Sequence, residues 1–218
     1  MGILKDYYYA SYSEHIRTAF SGKGNGKNFR YLMRAVHLFN KNKATRAIRV
    51  LEHIEKECKT NDDFCAVLMF KALCYEELGY IGFAITSYEK LLTYDENRSS
   101  VLSNLGRLYV ACGDYNKAID VYSKAIGKDA SNMFAFSNMA NLYYKMGEYE
   151  NALKYAVAAL KIKGNLYQAS NCACLSSYAL GDNENGKKYY GISIANGVGR
   201  RELDEAVENA KAIYNERF

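Results

Sequence analysis

The chain has neither proline nor tryptophan among its 218 residues. Without proline there is no proline-rich linker and no stiff polyproline segment. Histidine is scarce. His15, His37 and His53 stand at no recognisable spacing from a serine, cysteine or carboxylate that nucleophilic or acid–base catalysis would need. Asp62-Asp63 and Glu76-Glu77 are adjacent pairs, and neighbouring residues diverge on a helix, so neither supplies paired carboxylates. None of the six cysteines (Cys58, Cys65, Cys74, Cys112, Cys172, Cys174) forms Cys-x-x-Cys, and no histidine pair accompanies them at metal spacing. Cys172 and Cys174 are two apart on an expected helix and point to different faces. The expectation is no metal, no cofactor and no enzyme, with free thiols buried in a reducing compartment. No apolar run reaches the length of a membrane span, and the first residues lack the apolar core of a signal peptide. Asp6 stands where a myristoylation site wants serine or threonine. The expected setting is cytoplasmic, with no membrane partner.

What the chain does have is a period. Gly79, Gly113, Gly147 and Gly181 are spaced 34 apart, as are Tyr75, Tyr109 and Tyr143, and as are Ala84, Ala118 and Ala152. A glycine at the end of a helix takes the left-handed conformation without a Cβ clash. Small residues such as Gly106 and Ala118, or Ala140 and Ala152, allow two helices to approach closely. Tyrosines at this spacing read as core, filling the space between helices.

The stretch Ser99–Asn132 holds these positions most completely, in Asn104-Leu105-Gly106, Tyr109, Gly113, Tyr115, Ala118, Tyr122 and Ala125. It resembles a tetratricopeptide repeat, a unit of two antiparallel helices. The family's terminal proline is replaced by Ala130. The resemblance implies an all-α fold, a TPR-like α-solenoid in which antiparallel helix pairs wind into a right-handed superhelix. Repeats are expected at 28–64, 65–98, 99–132, 133–166 and 167–200. The first carries a short insertion near Lys59–Asp63. The fifth is degenerate, with Ser177 at the tyrosine position and Gly186 at the alanine position. Residues 201–218 carry Leu203, Ala206, Val207, Ala210, Ile213 and Tyr214 on one stripe and read as a C-terminal capping helix. Residues 1–27 read as an N-terminal helical segment, with an apolar stripe over 3–20, followed by a glycine-rich linker. That linker does not make a phosphate loop. Gly22 to Gly26 encloses three residues rather than four, and Asn28 stands where magnesium would need serine or threonine.

In this family the first helix of each pair lines a concave groove that holds a peptide. Carried over by register, the resemblance implies groove contacts from Ser103, Asn104 and Arg107, from Ser137, Asn138, Asn141, Tyr144 and Lys145, and from Asn171 and Tyr178. Asn104 and Asn138 match an asparagine that relatives use on a ligand's backbone, and an asparagine both donates and accepts. The lysine–asparagine pattern that clamps a chaperone's carboxylate is absent, since Leu32 and Val36 occupy those positions in the first repeat. The expected function is a non-enzymatic interaction module or scaffold binding a protein or peptide of acidic character. The alternative is a structural or self-associating subunit. Phe29, Leu32, Met33, Val36, Phe39, Met69, Phe70 and Leu73 read as too much apolar surface to leave in water, to be covered by the N-terminal helix, by a second copy in a homo-oligomer, or by a helical partner. Basic residues read as spread along the chain, so nucleic acid is not an expected partner.

Overall fold

The structure, a computed structural model, describes residues 26–217. Among these residues there are eleven α-helices and no strand. They fall into two compact units, divided between Arg98 and Ser99. The expected helix over 3–20 lies outside the described residues.

The first unit holds α1 (Gly26–Asn40), α2 (Ala44–Glu55), α3 (Asn61–Glu77) and α4 (Ile81–Tyr94) as two antiparallel pairs. Helix α1 takes in Gly26 and Lys27, which the sequence reading places in the linker. Its buried residues Leu32, Ala35, Val36 and Phe39 follow helical spacing. They meet the stripe Ala44, Ala47, Ile48, Leu51 and Ile54 of α2. Leu32, Val36, Phe39, Met69, Phe70 and Leu73 are all buried. Of the eight residues expected to form an open apolar surface, only Met33 is exposed, at 40 %, while Phe29 is half-buried.

The insertion expected near Lys59–Asp63 is one extra turn of α3. Thr60 and Asp63 build a capping box. The Asp63 amide donates to Thr60 Oγ1 and the Thr60 amide donates to Asp63 Oδ2, each at 3.2 Å. Phe64 on the added turn stacks on Tyr94 of α4 with ring centroids 4.8 Å apart. Glu55 closes the unit electrostatically, accepting from Lys71 on α3 at 2.7 Å and from Lys90 on α4 at 2.8 Å. Burial works to raise the pKa of this carboxyl, but the hydrogen bonds and charges of the two lysines outweigh it and hold it below its ordinary value.

The second unit comprises α5 (Ser99–Ala111), α6 (Tyr115–Lys128), α7 (Met133–Lys145), α8 (Tyr149–Ile162), α9 (Tyr167–Ala179), α10 (Asn183–Ala195) and α11 (Arg200–Arg217). Each pair turns at a glycine with positive φ, as in Gly113 at 78°. The Asp114 amide donates back to the Tyr109 carbonyl at 2.9 Å, closing a Schellman turn. The Asp114 side chain then accepts from the Lys117 amide and starts the next helix. The pair α9–α10 repeats this turn in full at Gly181 and Asp182, although its sequence departs from the family pattern.

Close approach is met differently from repeat to repeat. A Cβ on Gly106 would lie 2.5–2.8 Å from the Tyr122 ring, which is itself 1 % exposed. The glycine therefore makes room for a partner side chain. Gly186 does the same for Tyr178. Helix α9 is buried on nearly every side from Ala169 to Ala179, because α7, α8, α10 and α11 all pack on it. Leu203, Val207 and Ala210 of α11 supply the last of that cover. Tyr190 Oη donates to Asp204 Oδ1 at 2.6 Å and ties α10 to α11.

Gly106→Ala is expected to destabilise the second unit by about 1–3 kcal/mol, because the enclosed Tyr122 ring has nowhere to move. Gly113→Ala has open space around its Cβ and is expected to cost about 1 kcal/mol through backbone strain alone. Urea melts of both variants check this, and an unchanged Gly106→Ala midpoint would show that α6 yields. A second expectation concerns Glu55→Gln, which removes a carboxylate whose pKa is lowered. Its stabilisation is present above the ordinary value of 4.5 and is lost as pH falls through the folded-state value. The stability gap between the wild type and Glu55→Gln should therefore be widest near pH 7 and narrow below pH 4.5. A gap independent of pH would mean that packing of the side chain, and not its charge, is what matters.

Candidate functional site

In the second unit the first helices of successive pairs lie side by side, α5 against α7 and α7 against α9. Register places the expected groove residues along this row, and the structure sorts them by depth. Ser103 is buried and belongs to an internal network. Its hydroxyl donates to the Ser99 carbonyl at 3.0 Å and accepts from Asn132 Nδ2 at 2.9 Å, while Ser99 Oγ donates to the Ala125 carbonyl at 2.9 Å. Asn132 also caps α7 by accepting from the Ala135 amide. This network fixes the start of α7 against α5 and α6, and it uses Ser103 as structure. Ser137, one repeat on, is fully buried. Asn104 is 8 % exposed and Tyr178 6 %. These four side chains are buried, where the groove reading expects surface.

Arg107, Asn138, Asn141, Tyr144 and Asn171 are half-buried and Lys145 is exposed. Asn138, Asn141 and Lys145 make no side-chain hydrogen bond or ion pair among the described residues. Asn171 Oδ1 is buried and accepts from no group among the described residues. Burial pushes the Tyr144 hydroxyl up to about 12, and its ring lies 5.3 Å from that of Tyr149. It is a neutral donor at any physiological pH.

The thiols offer no nucleophile in this row. Burial pushes Cys172 and Cys174 up to about 12. Cys174 donates to the Gly186 carbonyl at 3.6 Å, filling the place where other repeats have alanine or glycine. Among the described residues no group of three His, Cys, Asp or Glu is placed to hold a metal ion. No described helix is long and apolar enough to cross a membrane. A cleft of 260 Å³ lies where α9, α10 and α11 meet. Its lining groups are largely paired with one another. Tyr190 bonds Asp204, and Lys211 bonds Glu208 at 2.8 Å while resting 5.3 Å over the Tyr178 ring. The cleft is a seam of the cap.

Family models match three stretches of the chain. Residues 66–98 and 135–169 match models described as tetratricopeptide repeat, and residues 106–147 match one described as TPR repeat. No curated protein matches the chain in sequence. Solved structures match it in fold. A tetratricopeptide repeat protein from Parabacteroides merdae superposes with a TM-score of 0.72 at 16 % identity, over 87 % of this chain and 75 % of that one. Pseudomonas aeruginosa PilF gives 0.69 at 17 %, over 87 % and 89 %. MamA gives 0.66 at 21 %, over 74 % and 93 %. With these matches over residues 66–98 and 106–169, the chain carries tetratricopeptide repeats and has an α-solenoid fold.

Proposed function

We propose that this protein is a non-enzymatic interaction module that holds a protein or peptide segment against the row formed by α5, α7 and α9. The observation that carries this reading is the set Asn138, Asn141 and Lys145. Their hydrogen-bonding capacity is unused among the described residues, and the neighbouring first helices carry Arg107 on α5 and Asn171 on α9. An amide that both donates and accepts suits a peptide backbone, and the two cations suit an acidic segment. The reading includes a cytoplasmic setting, supported by six unpaired thiols. The alternative, self-association through an apolar N-terminal face, is weakened by the burial of Leu32, Val36, Phe39, Met69, Phe70 and Leu73.

The test is an array of twelve-residue peptides of varied charge, with affinities for selected peptides measured by fluorescence anisotropy. Arg107→Ala with Lys145→Ala is expected to weaken binding tenfold or more, since hydrogen bonds to charged groups are worth about 1.5–3 kcal/mol each. Salt dependence should fall with it, while the melting temperature stays close to that of the wild type. Equal binding by the double variant would move the interface off this row.

A further inference from the structure

The net charge of +5 is not shared along the chain. Residues 26–50 carry Lys27, Arg30, Arg34, Lys41, Lys43, Arg46 and Arg49 and no carboxylate. Residues 51–98, the rest of the same unit, carry ten carboxylates against five cations. The expectation of evenly spread basic residues is therefore wrong for the first helix pair. All seven cations are exposed, and among the described residues none of them pairs with a carboxylate. The basic residues of the second pair behave otherwise: Lys71, Lys90 and Arg98 all have carboxylate partners.

Spacing gathers these charges. Lys27, Arg30, Arg34 and His37 recur every three or four residues on α1, on the side opposite Leu32, Val36 and Phe39. Arg46, Arg49 and His53 do the same on α2, opposite Ala47, Ile48 and Leu51. Tyr31 of α1 meets His53 of α2 edge to face, with ring centroids 5.6 Å apart, and this contact joins the two stripes. Lys27 lies 5.9 Å over the same Tyr31 ring. Seven like charges held together repel one another, and that cost is relieved only by counterions or an anionic partner.

We propose that the α1–α2 pair is a docking surface for an acidic protein segment of about a dozen residues. Four observations choose this partner among polyanions. The patch is short, since α1 from Lys27 to His37 spans only about 15 Å at 1.5 Å per residue. It is bordered within its own unit by net-negative sequence, which opposes a long nucleic acid running past it. Tyr31 is engaged with His53 and Lys27 and is not free for base stacking. Against a membrane surface, Met33 is the one large apolar residue exposed on these two helices, so there is no apolar face to insert. The chain's own first 25 residues carry Lys5, Arg17 and Lys23 against Asp6 and Glu14, and so offer no complementary charge. The proposal does not depend on the row at α5, α7 and α9.

The experiment uses the full chain and three probes: a labelled fourteen-residue peptide rich in aspartate and glutamate, a single-stranded oligonucleotide of equal charge, and phosphatidylserine–phosphatidylcholine vesicles. The peptide is expected to bind in low salt and to weaken steadily as salt rises. Arg30→Gln with Arg34→Gln and Arg49→Gln should weaken it at least tenfold, with unchanged helical circular dichroism. Should that triple variant fail to fold, Lys27→Gln with Lys41→Gln and Lys43→Gln carries the same expectation. In the Arg107→Ala, Lys145→Ala background the same triple substitution should still weaken the peptide at least tenfold, which separates this proposal from the groove reading. Wild-type affinity in a folded triple variant would overturn the proposal. So would tighter binding of the oligonucleotide than of the peptide, or vesicle binding without peptide binding.

Discussion

Everything in the second unit depends on how a helix stops. At Gly113, Gly147 and Gly181 the backbone takes φ of 78°. That single left-handed residue returns the amide after it to the carbonyl four residues before it. The turn is the same each time, so equivalent register positions of the two helices recur from pair to pair. Period is thus a consequence of the turn. Where the turn changes, the rest of the pattern weakens. The first pair uses Asn42 at φ 56°, with the Lys43 amide returning to the Leu38 carbonyl, and its fit to the repeat is correspondingly poorer in sequence. Asparagine tolerates this conformation better than other non-glycine residues, which keeps the pair formed although the glycine signal is missing.

This explains which parts of the fold are legible in the sequence. The pairs from Cys65 to Leu166 are, because each solves one backbone problem with one residue type. The extra turn of α3 is not. Asn61-Asp62-Asp63 is polar and looks like loop, whereas Thr60 and Asp63 in fact cap a helix start and Phe64 has an aromatic partner on α4. Nor does the pattern distinguish α9, whose residues are buried on nearly all sides and which therefore lacks an amphipathic stripe. Periodicity reports a helix with two faces. A helix enclosed by four others has only one kind of surface, and its character comes from neighbours far along the chain.

The candidate site is legible only in part, for a related reason. Register fixes where a residue lies on its helix but not how closely the next helix approaches. Ser103 and Asn141 both lie on first helices, yet Ser103 is closed in by Asn132 and Asn141 is not. A hydroxyl is small enough to be absorbed into the seam between repeats and to satisfy a cap there, whereas a longer amide reaches past it. The basic character of α1 and α2 was available from the sequence all along, but only when charge is counted per helix pair. Taken over the whole chain, the carboxylates of the second pair cancel it.

Two kinds of polar group therefore do different work in this fold. Some within the stack pair with one another: Glu55 with Lys71 and Lys90, and Ser99 and Ser103 with Asn132. A buried group of this kind costs most when one partner is removed, so such networks fix the geometry of the stack. The unpaired groups lie on α1 and α2 and on the open row of α7, among them Arg30, Arg34, Arg49, Asn138, Asn141 and Lys145. Water satisfies them at no cost to folding, so the stack does not need them. The apolar stripes that hold the helix pairs together are much the same in each unit and cannot discriminate between partners. Discrimination has to come from groups the fold leaves unused, and in this chain they form a basic surface in the first unit and an amide-rich row in the second.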